Sequence, residues 1–201
     1  DVAHLESGTA QYAAWCSPKG RILASFILYQ SGNTVRALLS SDLSSMTTSG
    51  LSKYVLRLKV RLSDLSSSYV SLGLCGAKAG EILQTVGLPI PSEPMKTADF
   101  PDGSTGTILR QDSMRFILTL PVERAVEYWR KISPLTRPAG TQIWDWFDIN
   151  AGIPRISEAT REAFIPQMVD FDKIGGVSFR KGCYPGQEIV ARTQYLGKVK
   201  R

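Results

Sequence analysis

Eight consecutive residues near the end of the chain, 181–188, read K-G-C-Y-P-G-Q-E and combine side chains that seldom form a core. A cation, a thiol, a phenol, an amide and a carboxylate surround two glycines and a proline. Glycine lets backbone approach a ligand closely, and Pro185 followed by Gly186 suits the centre of a type II turn. Placed before a helix, such a turn directs free backbone N–H groups to one point. The run therefore predicts a reactive or ligand-contacting loop.

Cys183 is the candidate nucleophile or ligand contact of this run. The cations Arg180 and Lys181, and a helix N-terminus after Gly186, would stabilise a thiolate. The alternative interpretation is a small packing residue without reactivity. A Cys–His nucleophile pair is not expected, because His4 is the only histidine and lies far away in the sequence.

The other polar members of the run each have a binding role and a structural alternative. Gln187 and Glu188 can hydrogen-bond the amide or amidine edge of a ligand, or cap the helix that follows. Tyr184 offers a flat face and a hydroxyl, or packs in the core. Lys181 can pair with a ligand carboxylate, or stay in solvent.

Three aromatic residues, Trp144, Trp146 and Phe147, fall within one short predicted helix. Aromatic side chains stack well on a planar heterocycle, although core packing is the more common outcome. Residues two apart do not share a helical face. We therefore expect only one of the two tryptophans to contact a ligand.

Composition narrows the class of protein. The chain has 201 residues, 43% hydrophobic and 21% charged, as in soluble globular proteins. Its net charge of +6 indicates either a solvated basic surface or an anionic partner such as a polycarboxylate, a phosphate ligand or RNA. The basic clusters, at 53–61 and 180–201, lack the interleaved aromatics of a single-strand platform. Nucleic acid is therefore not expected as the main partner.

The cysteine and histidine content further limits the class of protein and the compartment in which it is expected. Three widely spaced cysteines argue against a disulfide framework and favour a reducing compartment. With one histidine and no C-x-x-C, no protein-built metal site is expected. We find no leader and no run of the roughly 18 apolar residues that a membrane span requires. A cytoplasmic location without membrane association is expected.

Strand and helix patterns place these residues on two units. Residues 11–15 and 21–29 are predicted to form a hairpin, 33–39 a third strand, and Asp42 to cap a helix that continues to Leu58. A second unit begins near residue 63. It contains a strand (69–74), a helix from Gly76, strands 107–110 and 114–120, and a helix after Pro121 with the buried stripe Val122, Ala125, Val126, Trp129 and Ile132.

The order of the second unit is most of a ferredoxin-like split βαβ arrangement. Residues 142–151 are predicted to form a further helix, which Gly152 and Pro154 stop. A long irregular stretch, 153–172, follows. Loops of that length inside a domain are usually functional.

The run 181–188 resembles the K-G-C-Y-x-G-Q-E motif of the bacterial folate-binding YgfZ family, which is related to the aminomethyltransferase (T-protein) of the glycine cleavage system. Flanking segments extend the resemblance over most of the chain. They are K-G-R at 19–21, A-G-I-P at 151–154, F-I-P-Q at 164–167, G-G-V-S-F at 175–179, and then Ala191, Arg192, Gly197, Lys200 and Arg201.

The resemblance implies an α+β, T-protein-like fold. A discontinuous first, folate-binding domain is expected to comprise residues 1–62 and 136–201. A ferredoxin-like domain, 63–135, is expected to be inserted into it. The C-terminal β-barrel domain of the family is expected to be absent from this chain, which begins at Asp1 and so reads as a fragment.

The resemblance also implies a function: a folate-binding accessory protein for iron–sulfur cluster assembly or repair in client enzymes, including tRNA-modifying ones. The implied cofactor is tetrahydrofolate or a related reduced folate, bound in a central channel. Carried over by position, Cys183 is the catalytic candidate. The implied folate contacts are Trp144, Lys181, Gly182, Tyr184, Gln187, Glu188 and Arg192.

Two alternatives remain. The first is a folate-dependent aminomethyl transferase resembling the T-protein. T-proteins hold folate with a glutamate where this chain has Asn150, and a general base is not evident. The second is a basic RNA-binding module, which the net charge of +6 favours.

Overall fold

Two antiparallel sheets organise the computed structural model, which describes residues 2–101, 103 and 105–197. The first has the order β1-β2-β3: β1 (Ala10–Cys16), β2 (Ile22–Ser31) and β3 (Thr34–Leu38). The second has the order β4-β7-β6-β5: β4 (Tyr69–Cys75), β5 (Lys96–Asp99), β6 (Thr107–Arg110) and β7 (Arg115–Pro121). Lys198, Lys200 and Arg201, which belong to the predicted basic cluster or family match, lie outside the described residues.

Five α-helices accompany the sheets in the described part of the chain. They are α1 (Ser44–Ser52), α2 (Ala79–Thr85), α3 (Val122–Ile132), α4 (Thr141–Asn150) and α5 (Gln187–Leu196). The stretch between α4 and α5 contains only the short 3-10 turns Glu158–Thr160 and Pro166–Val169, so the predicted irregular segment is observed.

The predicted N-terminal hairpin and third strand are confirmed. Strand β1 pairs with β2 from Ala10↔Tyr29 to Cys16↔Ile22, and the Gly20 N–H donates to the Ser17 carbonyl in the turn. Alternate side chains of β2 point into the core, because successive residues of a strand face opposite sides. Those on the core side include Ile22, Ala24, Phe26 and Leu28.

The second sheet agrees with the predicted split βαβ order. Strand β7 lies between β4 and β6 and is antiparallel to both, with α2 after β4 and α3 after β7. Strand β5 is an additional edge strand that the sequence did not predict. The two sheets meet at a bridge between Thr9 and Lys96.

Among the described residues, two hydrophobic clusters each belong mainly to one sheet, and a third joins Ala10 and Tyr29 of the first sheet to Leu109 and Ile117 of the second. One buried cluster is drawn entirely from residues between Leu74 and Ile132. Another joins residues between Cys16 and Leu43 to Ile156, with Phe164 and Val169 packed against it. The domain boundaries at 62/63 and 135/136 stay a prediction.

Two helix predictions are wrong. Asp42 does not cap a helix reaching Leu58: its carboxylate accepts the backbone N–H of Glu158 at 3.0 Å, and α1 ends at Ser52. From Leu56 to Leu62, apolar and basic residues alternate with a period of two, which does not suit a helix.

The predicted buried stripe of α3 is also wrong, apart from Ile132. Val122, Val126 and Trp129 are 45%, 56% and 48% exposed, and the buried positions are Tyr128 and Ile132. The Tyr128 ring packs edge-to-face on Phe100, with ring centroids 4.8 Å apart. That aromatic contact sets the rotation of the helix on the sheet.

Candidate functional site

The run 181–188 forms the predicted type II turn at the start of α5. Gly186 has φ 83° and ψ 1°, and the Gln187 N–H donates to the Tyr184 carbonyl at 3.1 Å. Only glycine adopts this left-handed conformation at little cost. The turn therefore fixes where the polar side chains of the run emerge.

This turn packs against the turn between β1 and β2. A Cβ atom added at Gly186 would lie 2.4 Å from the Ser17 carbonyl oxygen and 2.6 Å from the Gly20 Cα. Gly20 in turn has φ 70° and faces Ile189. The turn at residues 17–20 and the run 181–188, widely separated in the sequence, are thus brought into direct backbone contact through Gly186.

A second set of contacts extends this junction. Arg21 Nη1 donates to the carbonyls of Glu162 at 3.2 Å and Ala163 at 2.6 Å. Gln167 Nε2 donates to the Val190 carbonyl at 2.7 Å in the interior. The Ile22 N–H also donates to the Phe164 carbonyl at 2.8 Å, so the F-I-P-Q segment connects β2 to α5.

The side chains of the run differ in exposure. Lys181 Nζ lies 5.0 Å from the centroid of the Tyr184 ring, and the Tyr184 N–H donates to Gln187 Oε1 at 3.3 Å. Cys183 is an exposed free thiol. Gly182, Glu188 and Arg192 are exposed as well. The turn can thus present a thiol to another molecule.

A second cysteine, Cys16, lies under this turn. It is buried, and desolvation raises its pKa to about 11, against the opposing effect of the nearby Lys181 charge. Burial likewise raises the pKa of the Tyr184 hydroxyl. The buried thiol is therefore held in its protonated, unreactive form near neutral pH.

A cavity of about 820 Å³ is lined by both sheets and by α4. Trp144 lines it half-buried, with its indole against the backbone of Gly73, where an added Cβ would lie 2.6 Å from the ring. Trp146 is 57% exposed and packs edge-on against Phe147. Of the two tryptophans on α4, only Trp144 faces the cavity.

A buried polar cluster lies beside Trp144. The fully buried Arg115 pairs through Nε with Asp112 Oδ2 and through Nη1 with Asp148 Oδ1, both at 2.6 Å. Gln111 Nε2 donates to Asp148 Oδ1 at 3.1 Å and to the Tyr12 hydroxyl at 3.4 Å. Tyr12, Gln111 and Asp148 line the cavity. Their side chains form what we call the polar wall.

Burial controls the protonation of this wall. It raises the pKa of the Asp148 carboxyl, and the hydrogen bond and charge of Arg115 oppose that rise. It raises the pKa of Tyr12 to about 12, so the phenol keeps its proton near neutral pH. The Arg115 guanidinium also lies over the Trp144 ring, 5.3 Å from its centroid. The cation supports the aromatic face as well as the carboxylate.

Sequence reasoning missed the polar wall. Its residues come from β1, from the turn after β6 and from α4, and Arg115 opens β7. One signal was present: Arg115 directly precedes the apolar run F-I-L-T-L. A charge next to a strand that is buried on both faces is seldom left unpaired.

Cations lie at the edge of the same cavity. Lys78, Arg137 and Arg155 are exposed residues in its lining. Arg155 forms an ion pair with Asp145. The cavity thus combines an aromatic face, a buried polar wall and a basic edge.

The predicted site residues fall into two places. Trp144 lines the cavity, whereas Lys181, Gly182, Cys183, Tyr184, Gln187, Glu188 and Arg192 do not. Asn150 is exposed, and its Nδ2 donates to the Trp146 carbonyl at 2.7 Å. In the part of the chain that the structure describes, no group of three or more His, Cys, Asp or Glu residues could hold a metal ion. No helix within those residues is long and apolar enough to cross a membrane.

Comparison with known proteins gives one consistent result. The chain is 30% identical to the protein named tRNA-modifying protein YgfZ of Photobacterium profundum, over 100% of this chain and 59% of that protein. The proteins of the same name from Pectobacterium carotovorum and Vibrio vulnificus are also 30% identical over 100% of this chain, and are covered to 60% and 59%. The chain therefore spans about 60% of the length of these relatives.

A solved structure supports the fold. The glycine cleavage system aminomethyltransferase T from Bartonella henselae superposes with a TM-score of 0.53 and 21% identity, over 66% of this chain and 37% of that one. No family model matches the chain. The resemblance to the YgfZ proteins predicted from the sequence is confirmed, and so is a mixed α/β fold like that of the aminomethyltransferase.

Proposed function

Because this chain is a relative of the YgfZ tRNA-modifying proteins, we propose that it is a folate-binding accessory protein whose ligand occupies the cavity beside Trp144. The observation that carries the proposal is the combination, in one cavity, of a half-buried tryptophan, buried polar groups and a basic edge. Each of these matches one part of a reduced folate: the pterin ring, its polar edge and the glutamate carboxylates.

The size and lining of the cavity fit such a ligand. Small-molecule sites usually enclose about 300–1,000 Å³ and present apolar walls with a few polar groups, and this cavity encloses about 820 Å³. The Gly73 backbone and the Arg115 guanidinium both lie against the indole of Trp144 and fix its position, and the half-buried ring keeps part of its surface towards the cavity. A planar ligand ring can pack against that exposed part without ordering it first.

A free acceptor also supports a ligand at this place. Asp148 lines the cavity, and both hydrogen bonds that it accepts within the described residues end on Oδ1. Its Oδ2 can therefore accept a hydrogen bond from a ligand. The exposed cations Lys78 and Arg137 suit a carboxylate tail.

The second part of the proposal concerns the exposed thiol. The turn at 181–188 lies outside the cavity lining, with Cys183 in solvent. We assign it to contact with client enzymes during iron–sulfur cluster assembly or repair. Because the relatives are named tRNA-modifying proteins, the proposed clients are enzymes that modify tRNA.

Calorimetric titration with tetrahydrofolate tests the cavity. Wild-type protein is expected to bind saturably, and Trp144→Ala to bind about 5- to 100-fold more weakly, because stacking of a heterocycle on an aromatic side chain contributes about 1–3 kcal/mol. Trp146→Ala, on the exposed side of the same helix, is the matched control and is expected to bind normally. Absence of binding, or equal losses in both variants, would contradict the proposal.

Lys181→Ala and Cys183→Ala test whether folate binding and client contact occur at two separate places. Since neither residue lines the cavity, both variants are expected to bind tetrahydrofolate like wild type. Cys183→Ala is expected to lower the activity of iron–sulfur client enzymes in cells. Weaker folate binding by Lys181→Ala would instead place the ligand at the turn, as the family resemblance implies.

An RNA-binding role is a second candidate, which the name of the relatives and one surface feature favour. Lys53, Arg57, Lys59 and Arg61 are all exposed, without an acidic residue among them. Affinity for tRNA should then fall with the logarithm of salt concentration, with a slope of about −0.7 to −0.9 per phosphate contact. Loss of that slope when these four residues are changed to alanine would locate the contact. Aminomethyl transfer gains no comparable support, because Asn150 offers no carboxylate.

A further inference from the structure

We propose that Asp148 and Tyr12 recognise the 2-amino-4-oxo edge of a pterin, with Asp148 accepting a hydrogen bond from the 2-amino group and Gln111 holding both side chains in position. The proposal rests on the proposed function, since it assumes a folate in the cavity. It names the residues that would hydrogen-bond the ring and the class of ring for which they would be selective.

The orientation of the Gln111 amide is fixed by its neighbours. Its Nε2 lies 3.1 Å from Asp148 Oδ1, and a carboxylate can only accept a hydrogen bond, so the NH₂ group must face Asp148. The same Nε2 lies 3.4 Å from the Tyr12 hydroxyl. The carbonyl end, Oε1, has no partner among the described residues and less than 1 Å² of accessible surface, so Gln111 positions Asp148 and Tyr12 and does not itself contact a ligand.

Asp148 is held by one of its two oxygens. Both hydrogen bonds that it accepts within the described residues, from Arg115 Nη1 and Gln111 Nε2, end on Oδ1. Its side chain is 12% exposed and lines the cavity. Oδ2 is therefore a second acceptor, on a carboxylate whose position is already fixed by a buried cation.

Tyr12 supplies a donor to the same wall. Its oxygen accepts from Gln111, and the phenol keeps its own proton because burial raises its pKa to about 12. The wall thus offers one donor, the Tyr12 O–H, and one acceptor, Asp148 Oδ2. A complementary ligand edge must carry one acceptor and one donor.

A 2-amino-4-oxopyrimidine ring has that pattern on one edge: a carbonyl oxygen and an exocyclic amino group. A 2,4-dioxo ring such as a lumazine replaces the amino donor with a second carbonyl, which would face the carboxylate. A site built to hydrogen-bond a ligand group rejects an analogue without it strongly, because its own polar atoms are then left unpaired. The wall therefore selects pterins over their dioxo counterparts.

The test pairs a change in the ligand with a change in the protein. Affinities of wild type and Asp148→Asn are measured by calorimetry for tetrahydrofolate and for its 2-desamino analogue. Hydrogen bonds to charged groups predict that wild type binds the desamino analogue about 10- to 100-fold more weakly. In Asp148→Asn, the difference between the two ligands should shrink to about 3-fold or less.

The controls separate recognition from folding. Asp145→Asn changes a carboxylate on the same helix that pairs with Arg155, and it should keep the full ligand discrimination. Tyr12→Phe removes only the hydroxyl; it should weaken tetrahydrofolate binding about 3- to 10-fold and keep the 2-amino discrimination. Tyr12→Phe also serves if Asp148→Asn does not fold.

The outcomes separate the two proposals. Equal binding of both ligands by wild type overturns this inference and leaves the folate-binding function standing. An undiminished difference between the ligands in Asp148→Asn also overturns it. Failure of wild type to bind tetrahydrofolate overturns the proposed function and this inference with it.

Discussion

Replacing Gly186 by alanine should undock the turn 181–188 from the β1–β2 hairpin. The added Cβ would lie 2.4 Å from the Ser17 carbonyl oxygen and within 2.7 Å of the Gly20 Cα and nitrogen. All of these are backbone atoms, which cannot swing aside as the end of a flexible side chain can. The substitution also forces an L-residue to adopt a φ of 83°.

The cost follows from these two effects. A left-handed conformation costs a non-glycine residue roughly 1–2 kcal/mol, and overpacking at a closely packed site costs about 1–3 kcal/mol. We expect the two to add to about 2–5 kcal/mol for the docked state relative to the undocked one. Since every 1.4 kcal/mol is a factor of ten, undocking should become at least about 30-fold more frequent.

Native-state hydrogen exchange at Val190 measures this directly. Val190 is fully buried, its N–H donates to the Gly186 carbonyl at 3.2 Å, and its own carbonyl accepts from Gln167. Its amide exchanges only when α5 opens, so the protection factor should fall by about 30-fold or more in Gly186→Ala. The amides of Leu118 and Leu120 in β7 should keep their protection, because these side chains belong to a cluster that contains no residue of the turn or of α5.

Gly182 provides the matched control. It belongs to the same run, an added Cβ there meets no atom within 4 Å, and its φ is not positive. Gly182→Ala should leave the Val190 protection factor unchanged, or raise it slightly by restricting the undocked chain. Equal effects of the two substitutions would refute the reasoning, because they would show that glycine content, and not close backbone contact, determines docking.

Three further predictions concern titrating groups. Because its pKa is raised to about 11, Cys16 should be alkylated at pH 8 roughly 100-fold more slowly in the folded protein than in urea. Mass spectrometry after iodoacetamide treatment measures this rate. Rapid labelling of Cys16 in the folded protein would contradict the prediction. Asp64 accepts hydrogen bonds from Ser44 and Ser66, which lower its pKa to about 2, below its unfolded value of about 3.9. It therefore stabilises the fold above pH 4, and this contribution is lost as the pH falls towards 2. Urea unfolding should show a flatter acid limb for Asp64→Asn, and an unchanged limb would exclude this role. Arg115→Met leaves Asp148 buried without its cation and should lower the free energy of unfolding, measured with denaturant, by about 3–5 kcal/mol. Adding Asp148→Leu should recover part of that free energy. Simple additivity of the two changes would mean that the two residues are not coupled.

Local patterns were sufficient where one short stretch decides the structure. The β1–β2 hairpin follows from alternating residues around a Pro-Lys-Gly turn, and the type II turn at Pro185 and Gly186 follows from two residues alone. In both cases the conformation is set by φ preferences and by hydrogen bonds within four residues. The succession β4, α2, β6, β7 and α3 along the chain was predictable because each element has its own local pattern, whereas the pairing of β4 with β7 joins segments that are distant in the sequence.

The face of α3 was not predictable, because its partner lies elsewhere. Val126 and Trp129 are more apolar than Tyr128, so a periodicity argument places them inside. The burial of Tyr128 depends on Phe100, in the loop after β5. The sequence of α3 alone does not predict that contact.

The residues of the candidate site also differ in whether the sequence could predict them. Trp144 was identified from aromatic clustering and family resemblance, and it does line the cavity. The polar wall beside it joins residues from three elements, and no local spacing relates them. Buried polar networks of this kind exist only once the tertiary structure has formed.

The junction between the two glycine turns also has a consequence for how the chain assembles. Arg21 and Ala163, which pair beside it, are 142 residues apart in the chain. Closing a loop of that length costs roughly 4–5 kcal/mol of chain entropy, and at about 5–20 residues per second a ribosome needs several seconds or more to make it. The hairpin is therefore synthesised first, and the Gly20 backbone lacks its contact with the turn at 181–188 until that turn has been synthesised. Docking of the turn at 181–188 is expected to be a late event, so an ordered Cys183 turn marks a chain whose N-terminal sheet has already folded.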